Sequence, residues 1–208
     1  MAANVLVFIW TSLSNATASS QRLVEFGALY GPAVAAGQWW RIFTGAFIHD
    51  GIMHIAFNMF ALWQIGMLVE QLFGSPKMAF IYFVSMIGSG LAVYYLNYNE
   101  VTIGASGAIF GLFGALVAAG LRLGEVGRRL VRSMLGVVLI NLLIGFMIPN
   151  ISMAGHVGGL ITGFLIGMPL FVTPAALRRP PHVPVNVQTQ SGEGIDAELL
   201  PPPEGERK

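Results

Sequence analysis

Residues 103–121 read IGASGAIFGLFGALVAAGL, nineteen residues without one charged side chain. A run of this length and apolarity, rising about 1.5 Å per residue, covers most of a ~30 Å hydrocarbon layer as an α-helix. Its small residues are arranged for close contact: Gly107, Gly111 and Gly114, followed by Ala115 and Ala118, leave a smooth face on which a second backbone can lie. The single polar side chain in the run is Ser106, close to its start.

The rest of the chain has the same character. Of 208 residues, 55% are hydrophobic and 10% charged, with a mean hydropathy of +0.69; a soluble domain carries about 25% charged residues. Lipid is therefore the solvent for most of the surface. Further apolar segments run over 3–13, 52–73, 78–96, 130–148 and 153–172. In lipid each segment must satisfy its own backbone groups, and these are too long and unbroken for barrel strands. The fold class expected is all-α, a six-helix membrane bundle. Segment 3–13 is too short to span, and is expected to be a first helix truncated in its cytoplasmic half. Cysteine is absent, so disulfides, thiolate metal sites and cysteine nucleophiles are excluded. A net charge of +1 gives no pointer to nucleic acid.

Two stretches differ from the spans. Residues 173–208 carry Pro174, Pro180, Pro181, Pro184 and Pro201 to Pro203 in a polar, acidic-ended sequence with little to bury, expected to be a disordered cytoplasmic tail following a 1–172 membrane domain. Residues 14–48 are long for a loop but rich in aromatics, among them Trp39, Trp40, Phe43 and Phe47, which suit the headgroup layer. Orientation follows from basic residues: Lys77, the group Arg122, Arg128, Arg129 and Arg132, and the pair Arg178 and Arg179 fall on one side, expected to be cytoplasmic.

That topology sends the second, fourth and sixth segments from outside to inside. Each carries polar groups near its outer end. The second opens with His49, His54 and Asn58, the last two sharing a face at i and i+4; the fourth opens with Gly104, Ser106 and Gly107; the sixth has Gly155 and His156. Polar residues inside a span are costly and mark function. Ser106 and His156 are each expected about one turn into their helices, at matching depth. Behind His156 run Gly159, Gly163 and Gly167, a second smooth face that would let serine reach imidazole.

Serine needs a base, and neutral histidine serves. No carboxylate lies in either span to orient His156, so a dyad of nucleophile Ser106 and base His156 is expected rather than a triad. The Ser106 N–H, His54 and Asn58 are candidate donors to an oxyanion. A metalloprotease His-Glu-x-x-His is missing, and His49 and His54, five apart, splay by about 140° on a helix, poor for a shared metal. Neither metal nor cofactor is expected.

Taken together over about residues 38–170, these elements resemble the rhomboid family of intramembrane proteases: Trp40-Arg41, the His49/His54/Asn58 series, Gly104-Ala-Ser106-Gly107, and Gly155-His156 with Gly159 and Gly163. The resemblance implies a rhomboid-like bundle with a partly membrane-embedded first loop, Ser106 as nucleophile, His156 as base, and His54, Asn58 and the Ser106 amide as oxyanion donors. It implies that the substrates are transmembrane proteins, cleaved near their outer ends, with the lipid bilayer as the other partner. Phe110 matches a position where an aromatic ring stacks on the catalytic histidine, with ordinary core packing as its other reading. His49 is read as holding the interfacial loop or bounding a water-filled site. Arg41 and Glu70 look structural. The expected location is a bacterial cell membrane, with the site opening to the outer side. The alternatives are a catalytically inactive rhomboid-like protein that binds membrane clients, and a transporter using the polar layer as a path.

Overall fold

The computed structural model describes residues 1–147 and 152–172, with the side chains of 126, 130 and 141–147 excepted. The tail expected from 173 onward lies outside the described residues, as does most of the turn at Pro149 and Asn150. What is described is helical except for one two-stranded sheet. Helix α1 (Ala2–Leu13) leads into short pieces, α2 (Ser20–Glu25), α3 (Gly31–Ala35) and α4 (Arg41–Thr44). The long helices follow: α5 (Ile52–Phe73), α6 (Ser75–Leu96), α7 (Ser106–Arg122), α8 (Gly124–Met147) and α9 (Met153–Leu170). Among the described residues α5, α6 and α9 are long and apolar enough to cross a membrane, while α1 and α7 are apolar but shorter.

Local chemistry sets the helix ends. Gly74, at φ +84°, both ends α5 and caps α6, whose first turn takes Pro76. The Ser75 hydroxyl donates to the Glu70 carboxylate across this turn. Ser152 caps α9 by accepting from the Gly155 N–H at 3.1 Å. Two expected boundaries are corrected. Helix α7 starts at Ser106 itself, not near residue 103, because Gly104 at φ +107° breaks the helix; Ser106 therefore opens its helix, while His156 lies one turn into α9. Helix α8 starts at Gly124, well before residue 130, so Arg128 and Arg129 sit on a helix and not in a loop. Apolarity marks where a helix meets lipid, not where its hydrogen bonding begins.

The glycines of α7 and α9 meet in register. A Cβ on Gly159 would overlap the Gly107 carbonyl oxygen, one on Gly163 the Gly111 carbonyl, and one on Gly167 would press on Ala115. The constant offset means that the two helices run parallel with backbone against backbone. Helix α6 completes a three-helix core in the opposite direction: Ser89 fills the space at Gly107, Ser85 that at Gly111, and Thr162 of α9 lies on Gly88. Almost all of α7 is buried by these neighbours and by the Ile55, Met59, Leu62 and Ile65 face of α5. At the other end of the bundle, Lys77 Nζ donates to the Leu170 carbonyl at 2.9 Å and Arg122 to the Met168 carbonyl at 2.7 Å. These cations satisfy the C-terminal carbonyls of α9 that have no partner within the helix.

The stretch 14–48 is built rather than loose. Arg41 is buried and donates to the Ala28 carbonyl at 3.0 Å, to the Val24 carbonyl, and to Gln38 Oε1 at 2.6 Å, tying four points of the segment together. Trp39, Trp40 and Phe43 remain exposed, as aromatic residues at a membrane interface are. In α1, Asn4 is buried with its amide on Met59 Sδ at 3.7 Å, and Thr11 bonds back to the Val7 carbonyl.

The packing predicts an asymmetric response to added methyl groups. Gly159→Val forces α7 and α9 apart and should lower stability by about 1–3 kcal/mol or more, the usual range for overpacking. Gly136→Ala, where nothing among the described residues lies within 4 Å, should be neutral or slightly stabilising. Thermal denaturation in detergent distinguishes the two; equal melting temperatures for both variants would contradict the packing.

Candidate active site

The approach to Ser106 is fixed by backbone pairing. Strands β1 (Leu29–Tyr30) and β2 (Val101–Thr102) pair antiparallel, Leu29 opposite Thr102 and Tyr30 opposite Val101. The Gly104 N–H then donates to the Gly45 carbonyl at 3.0 Å. Gly104 is required twice over: its φ of +107° disfavours any side chain, and a Cβ would come within 2.8 Å of His54 Nε2. The chain emerges from this turn directly into α7, so the Ser106 N–H belongs to a first turn whose donors have no intrahelical acceptor.

The parallel α7–α9 contact brings Ser106 Oγ to 2.8 Å from His156 Nε2, within the reach a nucleophile and its base require. His156 is buried, and its Nδ1 has no hydrogen-bond partner among the described residues. The Phe110 ring, one turn beyond Ser106, stacks on the imidazole with centroids 4.2 Å apart and planes 12° from parallel. Phe110 is thus both core and neighbour of the histidine: its face can hold the ring orientation and favour positive charge on it.

His54 packs beneath Gly104 and takes the Asp50 N–H on Nδ1 at 3.4 Å. With Nδ1 accepting, Nε2 carries the proton and faces the turn before Ser106. Asn58 is buried; its Nδ2 donates to the His54 carbonyl at 2.9 Å, while Oδ1 has no partner among the described residues. The sequence-based reading joined Asn58 to the polar layer; the structure turns one of its amide hydrogens back on its own helix, with the second left for another acceptor.

His49 has the more defined place. It is fully buried, its Nδ1 bonds the Phe47 carbonyl at 3.2 Å, and its Nε2 accepts from the Ala105 N–H at 3.4 Å. It therefore ties the end of the first loop to the residue before Ser106, and its ring meets His54 edge-on at 5.1 Å. Burial, and secondarily the neighbouring His54, push the His49 imidazole down to about 4, against the opposing pull of the Phe47 carbonyl. Ser85 and Ser89, the Ser152 cap and Gly45 were missed in the sequence. Only the spacing of Ser85, Gly88, Ser89 and Ala92 on α6 could have flagged that helix as a third small-residue face.

A pH dependence follows from His49. Folded His49 stays neutral down to about pH 4, whereas an unfolded imidazole takes up its proton near ~6.5. Between these values the unfolded state binds more protons, so stability falls as pH drops through that window. His49→Gln, which keeps a donor and an acceptor, should flatten the slope of melting temperature against pH across it. An unchanged slope would assign the acid sensitivity elsewhere.

Comparison with known proteins agrees with this architecture. The family profile described as Rhomboid domain matches residues 36–173. Over 174 residues the chain is 36% identical to Rhomboid protease GluP of Bacillus subtilis (strain 168), covering 81% of this chain and 34% of that protein. It is 34% identical over 160 residues to RHOMBOID-like protein 6, mitochondrial, of Arabidopsis thaliana, covering 75% of this chain and 52% of the relative. It is 36% identical over 152 residues to Rhomboid-like protease 1 of Toxoplasma gondii, covering 70% and 52%. The chain spans about a third to a half of the length of these relatives. With the profile covering most of its helical bundle, the chain belongs to the rhomboid family, as a multi-pass, all-α membrane protein.

Proposed function

We propose that this chain is an intramembrane serine endopeptidase that cleaves transmembrane segments of other membrane proteins near their outer ends. The observation that carries the reading is the 2.8 Å contact between Ser106 Oγ and His156 Nε2 inside a helical bundle. Its support is the family and the relatives named as proteases.

In this mechanism Ser106 Oγ attacks the scissile carbonyl carbon as its proton passes to His156 Nε2. The carbonyl oxygen becomes an oxyanion, met by the Ser106 N–H, His54 Nε2–H and the free Asn58 amide hydrogen. Collapse breaks the C–N bond, and His156 returns the proton to the departing amine. A water, deprotonated by the same histidine, then hydrolyses the acyl-serine ester to release the carboxylic acid and restore the hydroxyl. No carboxylate faces His156 Nδ1 among the described residues; in its place the Phe110 face favours the imidazolium that forms at each proton transfer. A dyad follows.

The membrane frame of this reading is six crossings, α1 and α5 to α9, with Lys77, Arg122, Arg128, Arg129 and Arg132 toward the cytoplasm and the dyad near the outer face. Its support is the basic-residue distribution and the shared end of the bundle at which Lys77 and Arg122 reach α9.

Cleavage of a model transmembrane substrate in liposomes should fall by roughly 10³-fold or more in Ser106→Ala and in His156→Ala. A fluorophosphonate probe should label the unchanged chain and not Ser106→Ala. Activity retained in either variant would sink the dyad. Absence of both labelling and cleavage in the unchanged chain would favour an inactive, client-binding relative instead. Phe110→Leu should keep labelling but lower the cleavage rate by several-fold, since it removes a cation–π contribution of about 0.5–2 kcal/mol; an undiminished rate would leave Phe110 as core alone.

A further inference from the structure

We propose that the first turns of α8 form a basic surface that holds anionic phospholipid headgroups of the adjoining leaflet. Arg128, Arg129 and Arg132 are exposed on this helix. At 100° per residue they fall, with Glu125, within an arc of about 100°. Gly127 lies on the opposite side of the helix, and a Cβ there would overlap the Gly120 carbonyl of α7. That contact, with Val131 against Gly120, fixes α8 so that the arginine arc faces away from the bundle.

The arc is poorly compensated from within. Glu125 pairs with Arg128, and it is the one acidic residue of the sequence between Glu100 and Glu193. Arg128 and Arg132, at i and i+4, repel one another, and Glu125 offsets one positive charge of the three. The net positive charge left on the arc attracts an anion from outside the helix. Depth identifies the source. Counted back from Met147, the last described residue of α8, Arg128 stands about 28 Å along the axis, at the edge of a ~30 Å hydrocarbon layer, and Arg132 about 22 Å, from where its long side chain can extend toward that edge. Headgroup phosphates occupy that level. Arginine suits them, because its planar fork bonds two phosphate oxygens at once.

The test uses the Ser106→Ala chain, so that its outcome is independent of proteolysis. Spin-labelled phosphatidylglycerol and phosphatidylcholine are compared for association with the protein in phosphatidylcholine vesicles. Phosphatidylglycerol should be preferred, with about a fivefold loss of preference per arginine neutralised, as attraction near an anionic surface implies. The preference should vanish in the Arg128→Gln, Arg129→Gln, Arg132→Gln triple variant and weaken in high salt. Glu125→Gln, which frees Arg128, should strengthen it. Equal association of the two lipids with the unchanged arginines would overturn the proposal, as would a preference that survives the triple substitution or ignores Glu125→Gln. Loss of the preference to inorganic phosphate at constant ionic strength would assign the surface to a soluble anion and overturn the lipid assignment.

Discussion

Two helices rarely come close enough for their backbones to touch, because side chains hold them apart. Here α7 and α9 do touch, through Gly107 and Gly159 and again through Gly111 and Gly163, and the rest of the bundle is arranged around that contact. Serine is a short side chain, and its oxygen reaches an imidazole on a neighbouring helix only when the two axes lie unusually near. Lipid offers no hydrophobic drive to hold them so, since hydrocarbon tails are as apolar as leucine. The hold comes from dispersion between well-fitted surfaces, with Ser85, Ser89 and Thr162 filling the remaining spaces at Gly111, Gly107 and Gly88.

The second requirement is a fixed turn before Ser106. A buried loop must satisfy its backbone groups without relying on bulk water, and the chain does so by pairing β2 with β1, Gly104 with Gly45, and Ala105 with the His49 ring. The first loop is therefore part of the site's frame, held in turn by the buried Arg41 guanidinium. A buried arginine and a buried neutral histidine are expensive in isolation; here each spends its bonds on carbonyl and amide groups that would otherwise be stranded.

Much of this was legible in the residues. The apolar runs gave α5 and α9 nearly to the residue, and the stripes behind Ser106 and His156 identified the two helices that meet. For Phe110 the residues alone left stacking and core packing open, and only the resemblance offered the stacked position; its ring lies parallel to that of His156. What was not legible lies where tertiary contact, not composition, decides. Nothing in Ile103-Gly104-Ala105 announces a break, because glycine also occurs within membrane helices; the positive φ of Gly104 is needed to see that α7 starts at Ser106. The share taken by α6 was hidden for a similar reason, since serines in an apolar helix look like tolerated exceptions until the glycines opposite them are known. Asn58 shows the limit most plainly: spacing puts it on the face of His54, but only the folded chain reveals that its amide bonds back to that turn.

The clamps at the far end of α9 have a mechanical meaning. Helix α9 is 18 residues long, so Lys77 and Arg122 act on it about 25 Å from Ser152. Being held by α6 and α7 at its foot, α9 is resisted in sliding along its own axis. A piston-like displacement would break two charged hydrogen bonds at once before it changed the height of His156. The foot of α9 is thus tied to α6 and to α7, the helix that opens on Ser106, and the two bonds favour a fixed height of His156 relative to Ser106.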